Sequence, residues 1–294
     1  MAYAKILVPV TGAPTDKAAL ATAFAAAAPF KSHVEALFVH ADPRDIPPYI
    51  YGATVSTEVI QSIIDAQKRL LDAAEHGARL SAGEAAAHAG ATLVEKEGKT
   101  GGWNFSFVVR YGFTPHLVAE AARFADLVVF KPVDKDERPE FTTAIVDTLC
   151  KAGRPILLSP RHPPQNPGGT LSDRIAIGWD GSDAAARATT AALPLLKHAG
   201  KVEIIEIASP HQSLPPGAGA LRNYLALHGV TASLRRVEHL AGKSVSACLL
   251  EEAARSGALL VMGGFGHSHL RETLLGGVTI DVVSQDSLPV FLMH

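Results

Sequence analysis

Gly263, Gly266 and Gly276 belong to one stretch, Leu259 to Thr279, that runs LLVMGGFGHSHLRETLLGGVT. Its first four residues are apolar, as expected of a strand buried on both faces in a parallel sheet. They break at once into Gly263-Gly264-Phe265-Gly266. Nine residues separate Gly266 from the pair Gly276-Gly277, and Val278, Thr279 and Ile280 then open a helical pattern. Strand, glycine turn, connection, glycine pair and helix start together suit a phosphate. Glycine lets the backbone approach closely and turn its N–H groups outward. A helix start adds unsatisfied donors and the positive end of a dipole. Glycine pairs alone serve tight turns, but two pairs bracketing one loop after a buried strand favour the anion.

The elements around this loop occur twice. In the first half, strands are expected at Ile6 to Val8, Val34 to Val39, Phe105 to Val109, Leu127 to Phe130 and Pro155 to Leu158. Helices are expected after Thr15 or Asp16 as cap, from Ser56 or Thr57 to about His88, from Thr114 to Phe124 and from Thr142 to Cys150. Val59, Ile63, Leu70 and Leu71 form the apolar side of the long helix. A Pro/Gly linker, residues 161–171, follows. Strands then recur at Ile175 to Trp179, Val202 to Ile207, Ala232 to Val237, Leu259 to Met262 and Pro289 to Leu292. Ser182 caps a helix running to Gly200, bent at Pro194, and further helices span Ala220 to His228 and Ser244 to Arg255.

Offsets make the repeat explicit. Thr11 matches Asp180 at a shift of 169, and Val34 matches Val202 at 168. Phe130 matches Met262 at 132 and Pro155 matches Pro289 at 134, so roughly 35 extra residues lie between the second and fourth strands of the first half. A duplicated βαβαβαβαβ unit implies an α/β fold: two tandem five-stranded parallel sheets with helices on both faces, and a ligand crevice at the strands' C-terminal ends.

Composition narrows the function classes. The chain has 294 residues, is 47% hydrophobic and only 6% aromatic, and carries a formal charge of −2. Small aliphatic residues must therefore build the core. Near-neutral charge speaks against a nucleic-acid or anionic-membrane surface. Cys150 and Cys248 have no metal or redox spacing and are expected to be reduced and buried. Met1 leads directly into the first strand, and no apolar run approaches the ~18 residues that cross a bilayer, which points to the cytoplasm.

The repeated order, the Asp180-Gly181-Ser182 turn and the glycine spacing resemble the universal stress protein family, in its tandem form. The family's nucleotide motif is G-x2-G-x9-G followed by Ser or Thr, and Gly263, Gly266 and Gly276 fall at that spacing. Gly277 departs from it, while Val278 and Thr279 follow the pattern again. The resemblance implies a Rossmann-like fold of the adenine nucleotide alpha hydrolase type. It also implies fifth-strand pairing between the halves as a pseudo-dimer, with a homodimer of these as a further state.

The resemblance implies an adenine nucleotide, ATP with Mg²⁺ in the first instance, in the second repeat, residues 172–294. Asp180 would contact the adenine, and Met262, Gly263, Gly266, His267, Gly276, Gly277, Val278 and Thr279 would make the ribose and phosphate loop. Asp180 also suits an Asx turn beside Gly181, and both roles can hold together. The missing hydroxyl at Gly277 removes one phosphate bond, worth roughly 1.5–3 kcal/mol if charge-assisted. His267, His269 and Arg271 could neutralise phosphate; the two histidines alone are too few for a metal.

In the first repeat, residues 1–160, Thr11 replaces the acid and Lys131-Pro132 replaces two glycines, so nucleotide is not expected there. Gly98-Lys99-Thr100 and Gly242-Lys243-Ser244 lack the earlier glycine of a P-loop and are expected to be turns. No triad, general base or Mg²⁺ carboxylate stands out. A binding or signalling module is therefore favoured over an ATP-hydrolysing enzyme. The alternative is a family member without nucleotide that acts by binding another protein.

Overall fold

The computed structural model describes residues 2–41, 57–95, 103–133, 139–162, 171, 173–208, 217–239, 242–264 and 287–294. The first set of elements is β1 (Lys5–Val10), α1 (Asp16–Ala27), β2 (His33–His40), α2 (Thr57–Ala89), β3 (Thr92–Leu93), β4 (Asn104–Tyr111), α3 (Thr114–Ala122), β5 (Leu127–Phe130), α4 (Pro139–Cys150) and β6 (Ile156–Leu158). The second set is β7 (Arg174–Gly178), α5 (Asp183–Leu196), β8 (Lys201–Ala208), α6 (Ala218–Leu227), β9 (Ala232–Glu238), α7 (Val245–Ser256), β10 (Leu259–Gly263) and β11 (Val290–Met293).

These strands form a single sheet in the order β3-β4-β2-β1-β5-β6-β11-β10-β7-β8-β9. The strand sequence 4-2-1-5-6 is mirrored by 11-10-7-8-9, so each strand of one set has a counterpart in the other. All neighbours are parallel except β6 and β11, which meet antiparallel with Ile156 opposite Leu292, Leu157 opposite Phe291 and Leu158 opposite Val290. The pairing of fifth strands is therefore present within the chain. Each of these six residues is almost wholly buried. Short, uniformly apolar strands of this kind would be a liability as bare edges, and the junction covers both. Two further contacts bridge the sets on one face: the Tyr3 hydroxyl donates to the Ala191 carbonyl at 2.7 Å, and Phe30 meets His198 edge-on at 5.0 Å.

Helices cover both faces. α1, α2, α5 and α6 share one apolar layer with Ile6, Val8, Ile175 and Ile177. α3, α4 and α7 share the other with Leu7, Val128, Ala176 and Leu260. The alanine-rich α1 is buried around most of its circumference, and small side chains let it lie close to both the sheet and α2.

Four expectations change. α2 buries Ala78, Ala82 and Ala86, whereas Val59 and Leu70 are exposed. Alanines four apart allow the close helix approach, so the small residues and not the large apolar ones mark the packed face. β3 is an added two-residue strand on the edge of β4, too short to leave a pattern in the sequence. α5 stops at Leu196, before the expected Gly200, although Pro194 lies inside it. Cys150 is exposed at the end of α4, and only Cys248 is buried.

Candidate functional site

The turn after β7 is built from the Asp180-Gly181-Ser182 sequence. Gly181 takes φ 75°, which a side chain would disfavour. Asp180 Oδ1 accepts from the Ser182 N–H at 2.9 Å, so the Asx turn forms. Ser182 Oγ accepts from the Ala185 N–H at 3.2 Å and caps α5 as expected. Asp180 itself is exposed. Its second carboxylate oxygen has no hydrogen-bond partner among the described residues.

One strand away, β10 ends at Gly263. A Cβ there would lie 2.6 Å from Ala185 N and 2.7 Å from the Ala184 carbonyl carbon. The first turn of α5 is therefore pressed against the end of β10, and only glycine leaves room. The β7–β10 register pairs Leu259 with Ile175 and Val261 with Ile177. Continued upward, it sets Gly263 beside Trp179 and Gly264 beside Asp180, neighbouring strands being about 4.8 Å apart. Met262 is buried with Leu249 and Leu260, so its side chain belongs to the core and only its backbone faces the strand end. Gly266, His267, Gly276, Gly277, Val278 and Thr279, with His269 and Arg271, lie outside the described residues. The described residues thus bring together Asp180, Gly263 and the start of α5.

The corresponding place in the first set is filled from within. Asp16 is 1% exposed, and its Oδ2 accepts from the N–H groups of Thr11 and Gly12 at 2.8 and 2.7 Å. Its other oxygen accepts from the Thr11 hydroxyl at 3.2 Å. Thr15 holds the cap position without a side-chain bond, so neither cap candidate caps α1 through its side chain. The carboxylate is spent on the preceding turn instead. Lys131 is also 1% exposed, with its ammonium 4.6 Å from the Phe141 ring centroid. α2 closes the rest: a Cβ on Gly12 would lie 2.5 Å from the Ala74 carbonyl oxygen. His40 Nε2 meets Glu75 at 2.7 Å, His40 stacks on Tyr111, and Arg79 sits 4.3 Å above the Phe107 ring.

Burial pushes the Asp16 carboxyl up to about 6, against the opposing pull of the Thr11 and Gly12 N–H groups and of Lys131. A folded-state pKa above the unfolded value of 3.8 means that the folded chain holds this proton longer. The contribution to stability is thus present below about pH 4 and is lost as pH rises through about 6. Asp16→Asn should remove that slope. The stability difference between parent and variant, from urea unfolding, should shift by about 2 kcal/mol between pH 4 and 6.5. An unchanged difference would contradict the buried, proton-binding carboxyl.

Of the two P-loop-like tails, Gly98-Lys99-Thr100 lies outside the described residues. The other is a turn: Gly242 has φ 83°, Lys243 pairs with Glu251, and Ser244 caps α7 through the Ala247 N–H. Among the described residues no three His, Cys, Asp or Glu side chains converge as a metal set, and no helix is long and apolar enough to cross a membrane.

With this geometry in place, comparison with known proteins assigns the second set. Residues 172–294 match the model of the universal stress protein family. These residues carry a universal stress protein domain. No curated protein sequence matches the chain. Among solved structures, a universal stress protein from Archaeoglobus fulgidus DSM 4304 is 13% identical, with a TM-score of 0.65 over 98% of this chain and 97% of that one. A putative universal stress protein from Pseudomonas aeruginosa UCBPP-PA14 is also 13% identical, with a TM-score of 0.54 over 99% of this chain and 93% of that one. At such identity these two universal stress proteins share the fold, and they share it across both sets of elements.

Proposed function

We propose that this universal stress protein is a stress-response module that binds one adenine nucleotide, ATP first, at the end of β7 and β10. The observation that carries the reading is the juxtaposition of two features on neighbouring strands. Asp180 offers an exposed carboxylate oxygen without a hydrogen-bond partner among the described residues, and Gly263 brings the backbone of β10 against the first turn of α5. A carboxylate there can accept from the exocyclic amine of adenine. The glycine spacing that continues through Gly266, Gly276, Gly277, Val278 and Thr279 supplies backbone donors for the phosphates, with the Thr279 hydroxyl beside them. Mg²⁺ would arrive on the phosphates and screen their charge.

The first set of elements holds no such site in this reading. Its turn N–H groups are already taken by Asp16, Lys131 stands where Gly263 stands in the second, and the α2 backbone lies on Gly12. The two halves thus divide the work into a binding domain and a closed, degenerate partner.

The Asp180 contact has its own test. Asp180→Ala is expected to weaken ATP binding roughly tenfold, the loss of one hydrogen bond to a charged group. The helix start should survive, because Ser182 still caps α5. Isothermal titration of parent and variant measures it, and equal affinities would remove Asp180 from the site.

A further inference from the structure

Trp179 lies between Asp180 and Gly263, and its indole N–H has no acceptor among the described residues. Its backbone N–H extends the sheet by bonding to the Ile205 carbonyl at 2.9 Å. Its ring follows Ile175 and Ile177 on the face covered by α5 and α6. Cζ2 lies 3.9 Å from where a side chain on Gly217, the residue before α6, would begin. Nε1, on the same ring edge, is shielded from solvent and makes no hydrogen bond among the described residues. On the same face, the Glu206 carboxylate is turned to Arg236 at 3.2 Å. A buried donor without an acceptor costs stability, and native proteins keep few of them.

Trp103 has a similarly orphaned N–H, which makes position the deciding fact. Trp103 precedes β4 and packs edge-on against Phe24, at the end of the sheet where strands begin. Trp179 stands at the end where β7 stops, next to Asp180 and level with Gly263. The buried Glu206 carboxylate on this face makes the surroundings of Trp179 unsuited to a phosphate.

We propose that Trp179 is a ligand-binding residue whose indole N–H is held for an acceptor atom on the nucleoside part of the nucleotide. The proposal rests on the nucleotide reading above and adds a contact to it. Trp179→Phe keeps the aromatic ring and deletes the donor, and Trp103→Phe makes the same deletion away from the site. Titrations of the full-length chain with ATP and with adenosine are expected to show roughly 3- to 10-fold weaker binding of both ligands to Trp179→Phe. Trp103→Phe should bind as the parent does. Because the chain has two tryptophans, the Trp103→Phe protein reports from Trp179 alone, and its fluorescence should change on adding adenosine. Parent-like binding by Trp179→Phe, with fluorescence that ignores the ligand, would overturn this contact and leave the nucleotide site standing. A parent that binds neither ligand would overturn both.

Discussion

Gly263→Val is expected to lower stability and abolish nucleotide binding together. The Cβ alone would lie 2.6 Å from Ala185 N and 2.7 Å from the Ala184 carbonyl carbon, both backbone atoms with no side-chain freedom to yield. Relief requires moving the start of α5 off the sheet, at a cost of about 3 kcal/mol. That same displacement would pull the α5 N-terminus away from Asp180. The neighbouring glycine provides the control. At Gly264 the nearest atom to an added Cβ is Leu292 Cδ2 at 3.8 Å, an ordinary contact, so Gly264→Ala should be nearly silent. Urea unfolding of the two variants decides it, and a Gly263→Val protein as stable as the parent would show that α5 can shift freely.

Phe291→Ala, within β11, should have a comparable or larger effect. Phe291 is fully buried and sits opposite Leu157 in the antiparallel junction. Truncation of a core phenylalanine typically costs about 3–5 kcal/mol, part of it from the cavity left behind. Because one sheet runs through the junction, the loss should be felt by both sets of strands. Single-tryptophan proteins retaining Trp103 or Trp179 report from either side, and both probes should show one coincident transition, shifted together in Phe291→Ala. Two separate transitions in the parent would mean that the sets unfold independently.

Much of this architecture is legible in the sequence because local signals and tertiary role agree. The apolar runs at Leu127, Ile156, Leu259 and Val290 become the central, wholly buried strands. The Asp180-Gly181-Ser182 turn carries both its positive-φ glycine and its helix cap in adjacent residues. Long-range geometry was not legible. Asp16 has the type and place of a cap, yet its carboxylate serves the turn four residues earlier, a choice fixed by burial beneath the surrounding chain. The packed side of α2 is written in alanines, whose low hydrophobicity hides them behind Val59 and Leu70. Gly263 looks like a phosphate glycine by spacing alone. Its contact with α5 adds a packing reason for glycine that only three-dimensional proximity exposes. Trp179 gave no signal at all, since an orphaned N–H exists only once its neighbours are in place.

The most direct test is a calorimetric titration of the unmodified full-length chain with ATP and Mg²⁺ at one fixed salt concentration. One site per chain is the predicted stoichiometry, because among the described residues the second turn keeps an open carboxylate oxygen at Asp180 whereas the first is closed by Asp16 and α2. Two equivalent sites, or no binding at all, would contradict the account.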